Sequence, residues 1–431
     1  MIGALGKVTG LKVPGRTSAF ALKGRALGAR AIGDMLGVAT VLEGSVRRAG
    51  RRLRVSAQLI SAADDRVLWA ESYDRELADI FAVQEEIAQA IVSALRVQFE
   101  RAAGASPRLV PAGPANLEAY ELFLKGLFVG RRMKPEDLHR AIAYFEQSIA
   151  CDPAYARPYA ALADARVLLV VFAGRSTRSE LPRARAYAEK AVALDPTLAD
   201  GHWALGHVLF ALEFDLASAI REMQRALALD PRHVDSRHLY AILLLDLDRF
   251  EEAAAELTRT LATDPLFAAA SMTFGYLHLV LGHDDRAISY FREALTLAPD
   301  FSYARCGLGH AYLQAGRPGE ALAEFERAVV TGTARDRAQL AYAYAITGQR
   351  TEATVLLREV LAPEGDFSPP LLQVAMAYVG LGDADEAFRW LERATEEHDP
   401  HVLGLNIFPA FRPLRSDPRF DILVRRLGLV E

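Results

Sequence analysis

The chain has 431 residues, 51% of them hydrophobic and 24% charged, with a formal net charge of −5. That length is more than one hydrophobic core usually supports, so several domains or a repeat array is expected. Two distant cysteines, Cys151 and Cys306, lack metal-ligand spacing and read as unpaired thiols, and no apolar run reaches the ~18 residues needed to cross a bilayer. Charge is unevenly shared: residues 1–110 carry a net +5 and the remainder a net −10, which suggests two domains.

Taken in chain order, residues 1–102 have a mixed rhythm. The start, Gly3 to Gly10, contains Gly6-Lys7, but not at the spacing of a phosphate-cradling loop; it reads as helix. Leu11-Lys12-Val13 and Thr17 to Phe20 are short strand candidates, and Ala29 to Leu36 suits a short helix. Thr40 to Arg47, Leu53 to Ile60 and Val67 to Tyr73 read as three strands of a meander, the second alternating Val55, Ala57 and Leu59 with Ser56, Gln58 and Ile60. Asp79 caps an amphipathic helix with Ile80, Val83, Ile87, Ile91 and Leu95 on one stripe.

The runs Val41-Leu42-Glu43-Gly44-Ser45-Val46-Arg47-Arg48, Val55 to Ile60, Leu68-Trp69-Ala70-Glu71 and Phe81 to Ile87 resemble the TolB-like domain that precedes tetratricopeptide repeats in many bacterial signalling proteins. The ending Pro413 to Phe420 resembles the same group. The resemblance implies a neighbouring adenylate cyclase, serine/threonine kinase or winged-helix DNA-binding domain. Such domains normally open with another strand and most of a helix before the part matching Ile2 to Gly10. That implies a shortened product or a fragment, with a sheet lacking a strand, and an uncovered edge invites self-association.

Residues 103–116, with Gly104, Pro107, Pro111, Gly113 and Pro114, read as a linker. Beyond it a period appears. Prolines 153, 196, 231, 265 and 299 are spaced by 43, 35, 34 and 34 residues. Small residues Gly275, Gly309, Ala287 and Ala321 recur where two helices would cross, and Phe291, Phe325 and Leu391 would fill the grooves between units. The turns Gly282 to Asp285 and Gly316 to Gly319 join the helices of a pair. A 34-residue period with these positions resembles the tetratricopeptide repeat family. Eight units are expected: 117–153, 154–196, 197–231, 232–265, 266–299, 300–333, 334–366 and 367–400, with 401–431 as a C-terminal cap.

The expected fold is therefore mainly α: an α-α superhelix of about eight helix pairs, preceded by a small α/β TolB-like domain. No zinc-protease, nucleophile-elbow, kinase or cyclase motif is present, so no catalytic residues, cofactor or metal are assigned. His398 and His401, near Glu396, Glu397 and Asp399, read as a solvated repeat end rather than a metal site. Arg47, Arg48, Arg51, Arg52 and Arg54 read as a charged hairpin tip that blocks aggregation, and nucleic acid is not the expected partner.

A protein or peptide bound in the concave groove is the expected partner. His202, His207, His238, Tyr276, Tyr303, His310 and Tyr342 are the candidate groove residues, with packing between repeats as the alternative for each. A regulatory portion of a longer signalling protein is the competing functional reading, and an enzyme with an unrecognised site is a third. The expected compartment is the cytoplasm, with the periplasm as the alternative if a membrane span precedes the segment.

Overall fold

The computed structural model describes residues 5, 13–50, 52–76, 86–91, 116–130, 134–330, 333–362 and 368–429, and the chain divides into two compact units. The first comprises residues 1–117 with 260–267, the second 118–259 with 268–431.

In the first unit, helices α1 (Arg16–Ala21) and α2 (Ala29–Leu36) precede a three-stranded antiparallel sheet. Its strands are β1 (Thr40–Ala49), β2 (Arg52–Ser61) and β3 (Val67–Glu76), in that spatial order. The register sets Leu42 beside Leu59 and Trp69, and Val46 beside Val55 and Tyr73, on one face. There Ala57, Leu59 and Tyr73 pack against Ile87, Ala88 and Ile91, the described stretch of the expected amphipathic helix. The other face is polar, as alternation demands: Ser56 meets Ser72, and Arg54 pairs with Asp74 at 2.8 Å. One expectation fails. Thr17 to Phe20 lies in α1, not in a strand, because Pro14-Gly15 ends the extended run and Ala19 and Ala21 favour helix. Asp79, Ile80, Val83, Leu95, most of Gly3 to Gly10, and residues 103–115 lie outside the described residues.

From Leu117 onward the described residues form antiparallel helix pairs. They are α3 (Leu117–Gly130) with α4 (Pro135–Cys151), α5 (Ala156–Ala173) with α6 (Thr177–Leu194), and α7 (Ala199–Ala211) with α8 (Leu216–Leu229). Next come α9 (Val234–Asp246) with α10 (Phe250–Thr263), α11 (Ala268–Val280) with α12 (Asp284–Leu297), and α13 (Ser302–Gln314) with α14 (Pro318–Val330). The series ends with α15 (Ala334–Ile346) and α16 (Arg350–Leu361), then α17 (Leu371–Gly380) and α18 (Ala384–Glu396).

The repeated Asp-Pro pairs act locally. Proline cannot continue a helix, and the aspartate carboxylate turns the chain by accepting from the N–H two residues on: Ala154 at Asp152, Thr197 at Asp195, Arg232 at Asp230. In the turns of the middle pairs the chain takes a left-handed residue. Gly282 (φ 74°) and Gly316 (φ 71°) supply it, and His283 and Arg317 then donate to His278 and Tyr312 carbonyls at 2.8 Å. Phe214 and Asp248 hold the equivalent place two and one repeats earlier, at φ 58° and 57°. Packing explains the small residues: a Cβ at Gly275 would stand 2.7 Å from the Phe291 ring, and one at Gly309 2.6 Å from Phe325. Phe291, Phe325 and Leu391 are fully buried.

The C-terminal segment does more than cap. Two 3-10 helices, Pro400–Asn406 and Pro409–Leu414, precede α19 (Pro418–Arg426). They pack on α17 and α18, as a cap would, but the first also reaches α5, α7 and α9. Val402, Leu403, Leu405 and Phe411 are buried to within 1%.

Candidate interaction surface

The first helix of each pair supplies the candidate groove residues, and its register decides their roles. His202, Arg237 and Arg305 occupy one repeat position. Each clamps its own pair: His202 reaches the Pro196 carbonyl at 3.0 Å and Glu222 at 2.7 Å, Arg237 the Pro231 carbonyl at 2.5 Å and Glu256 at 2.6 Å, and Arg305 the Pro299 carbonyl at 2.6 Å and Glu324 at 3.0 Å. His202 therefore ties helix to helix. Tyr342, at the position of Leu308 one repeat earlier, is buried with the core, and its ring lies 5.6 Å from His310.

His207, Tyr276 and His310 share a second position, and at the latter two the chain's own C-terminal segment meets it. The Phe408 ring lies 5.7 Å from Tyr276 and 5.6 Å from His310. Tyr303 sits at the same convergence. Its hydroxyl donates to the Val171 carbonyl at 3.0 Å and lies 3.0 Å from His401 Nε2. The Arg335 guanidinium lies 3.3 Å over the Tyr303 ring and pairs with the buried Asp336. His401 Nδ1 meets Asp399 at 2.9 Å, and Asp399 also accepts from the Leu372 N–H. Burial alone would raise the Asp399 carboxyl; the bond from His401 outweighs it and holds the group below its ordinary range. The expected solvated end at His398 to His401 is thus overturned: Asp399 is buried, and His401 reaches inward to α13. Among the described residues no group of three or more His, Cys, Asp or Glu is placed to hold a metal ion.

Tyr276, Tyr303, His310 and Tyr342 are therefore brought together, around Phe408 and His401. His238 stands apart, donating through Nε2 to Thr273 Oγ1 at 2.9 Å, because that hydroxyl already donates to Ala269. Burial pushes its pKa down to about 4.

His207 lies in the N-terminal half, with Nδ1 2.9 Å from Asp164. Next to it is Trp203, a residue not among the candidates, with its ring 5.7 Å from His207 and 6.0 Å from His233. His233 bonds Asp200 at 3.0 Å, and Arg157 pairs with the same carboxylate at 2.9 Å. Burial opposes the Asp200 charge, yet Arg157 and His233 together hold its pKa below the ordinary value. Trp203 is half-buried and stands one helical turn before His207, on the same face. That spacing was the available signal for it.

His310 gives a pH prediction. It is 3% exposed, and burial pushes its pKa down to about 4, against ~6.5 in an unfolded chain. Between those values the unfolded state binds more protons, so stability rises with pH in this window and is lost as pH falls through it. The loss at pH 4.5 is about 2–3 kcal/mol relative to pH 7. His310→Gln should reduce the difference in unfolding free energy between pH 7 and 4.5, measured by urea titration, by that amount; an undiminished difference would exclude His310 as its source.

The Tetratricopeptide repeat family pattern matches residues 204–266, 240–300 and 272–341, so this stretch is tetratricopeptide repeat. The chain is 41% identical over 162 residues to the putative adenylate cyclase 3 of Rhizobium meliloti (strain 1021), a match covering 38% of this chain and 27% of that protein's length. Among solved structures, Cut9-Hcn1 of the APC/C hetero-tetramer superposes with a TM-score of 0.50 at 16% identity, over 73% of this chain and 57% of that one. The human IFIT1 dimer with m7Gppp-AAAA also gives 0.50 at 16% identity, over 73% and 78% of the two chains. These two likenesses establish the superhelical fold. The small antiparallel sheet lies at its N-terminal side in sequence. No helix among the described residues is long and apolar enough to cross a membrane.

Proposed function

We propose that the superhelix is a non-enzymatic scaffold that takes a peptide or protein partner on its concave side, in the N-terminal half around Trp203 and His207. The observation that carries this reading is the half-exposed Trp203 flanked by His207 and His233, with Asp164, Asp200 and Arg157 fixing the surrounding charges. A large amphipathic ring in a rim of oriented polar groups is the composition of an interaction hot spot. Tyr276 and His310 are already met by Phe408, and Tyr303 by His401, so those three candidates are engaged by the chain itself.

Trp203→Ala is expected to weaken partner binding by about 2 kcal/mol or more, with a small change in melting temperature. The comparison pairs wild-type and Trp203→Ala chains as baits in the same extract. Proteins enriched on both baits alike would remove Trp203 from the proposal.

A second reading has its own support. The 41% likeness to a protein named as an adenylate cyclase accords with the TolB-like assignment of residues 1–102 and with a regulatory role beside a catalytic or DNA-binding effector. Fusing the chain to such an effector and measuring effector activity with and without Trp203→Ala tests it; equal activity would count against regulation through this surface.

A further inference from the structure

Strand β1 is an edge strand. Among the described residues no strand pairs with its outer side, although all ten of its residues are extended and in register with β2. Two features mark that edge as an interface. On the apolar face, Leu42 and Val46 continue the rows of Leu59 and Val55, yet they are 37% and 66% exposed, while Leu59 is 3% exposed. On the polar face, Arg47 stands directly opposite Arg54. Arg54 has its carboxylate in Asp74 at 2.8 Å; Arg47 pairs with no carboxylate among the described residues. Like charges directly opposite on neighbouring strands are destabilising, so Arg47 lacks an acid on its open side.

We propose that β1 pairs antiparallel with β1 of a second copy, about a two-fold axis through Ser45, joining two three-stranded sheets into one of six strands. The sequence of β1 is self-complementary about that residue. Antiparallel pairing centred on Ser45 sets Glu43 opposite Arg47 of the second copy, and Arg47 opposite its Glu43, so both arginines gain an acid. On the apolar face Val46 lies against Gly44 of the second copy and diagonal to the other Val46, within reach for cross-strand packing. The alternative axis through Gly44 would set Glu43 opposite Ser45 and Arg47 opposite Val41, leaving both charges unmatched. A slip of β1 toward its hairpin end would set Arg47 or Arg48 opposite the same residue of the second copy, which repulsion disfavours. This association involves neither Trp203 nor the concave side, and its failure leaves that reading untouched.

Sedimentation velocity on the 431-residue chain over about 1–200 µM tests the proposal, with circular dichroism confirming that each variant is folded. The wild-type chain should show a reversible monomer–dimer equilibrium. Arg47→Glu alone and Glu43→Arg alone should each weaken it by roughly tenfold or more, because like charges then face each other twice. The double variant Glu43→Arg/Arg47→Glu should restore it to within about threefold, since opposite charges face each other again. A wild-type chain that stays monomeric throughout overturns the proposal. So does a dimer indifferent to the single swaps, which forms elsewhere, or a double variant that remains as weak as the singles. Both positions lie on the polar face, so the fold does not depend on their charge.

Discussion

Replacing Phe291 with alanine is expected to destabilise the superhelix by about 3–5 kcal/mol. Phe291 is fully buried between Gly275 of its own pair and Gly307 of the next, with Tyr276 edge-on at 5.1 Å. Neither glycine has a side chain to fall into the space left, so the cavity persists and its full cost is felt. In a repeat array, stability is close to a sum of unit terms and nearest-neighbour interfaces. The loss should therefore fall at one joint. Hydrogen exchange in α11 to α13 should accelerate more than in α5 or α18, and urea unfolding should broaden or split. A stability change below about 1 kcal/mol would contradict the packing described for this joint.

Ending the chain at Glu397 is expected to have the largest effect of all. Val402, Leu403, Leu405 and Phe411 are buried to within 1%, and each such side chain is worth roughly 1.5–3 kcal/mol of transfer free energy. Together they approach the whole stability of a typical domain. The truncation also strips the cover from Tyr276 and His310, and removes His401 from Tyr303. The shortened chain should bind a hydrophobic dye, aggregate at micromolar concentration and melt at least 10 °C lower. A truncated chain that melts with the intact one would show that residues 398–431 are an appendage and not core.

The repeat was legible in the sequence because its cause is local. A ring such as Phe291 demands a small partner at Gly275, one period apart from the same demand at Phe325 and Gly309, and Asp-Pro turns punctuate each unit. The strands were legible for the same reason: alternation in β2 is a nearest-neighbour property. What escaped was set by long-range contact. Nothing in the periodicity around Pro400 says that His401 bonds Tyr303, 98 residues earlier, or that Phe408 lies between Tyr276 and His310. An end cap and a folded-back plug share the same local pattern of proline and aromatic residues. Register within a helix was the other obstacle. His202 and His207 are five residues apart on α7, yet one clamps its own pair and the other meets Asp164 of α5, and Trp203, beside His202, faces with His207. Arg47 shows the converse: its charge was visible as part of a basic cluster, but its opposition to Arg54 required the strand register.

Tyr303 joins three distant parts of one unit: its hydroxyl meets Val171 on α5 and His401 in the C-terminal segment, and its own backbone belongs to α13. A helical solenoid without such a tie is a spring, whose neighbouring turns flex and whose pitch can stretch under load. A strut between its second and sixth units removes that freedom. The mechanical consequence is a stiff element that transmits displacement instead of absorbing it: a push on the early repeats arrives, nearly undamped, at the chain's C-terminal segment. Single-molecule stretching would register this as one high-force rupture, in place of the repeat-by-repeat yielding of an open array.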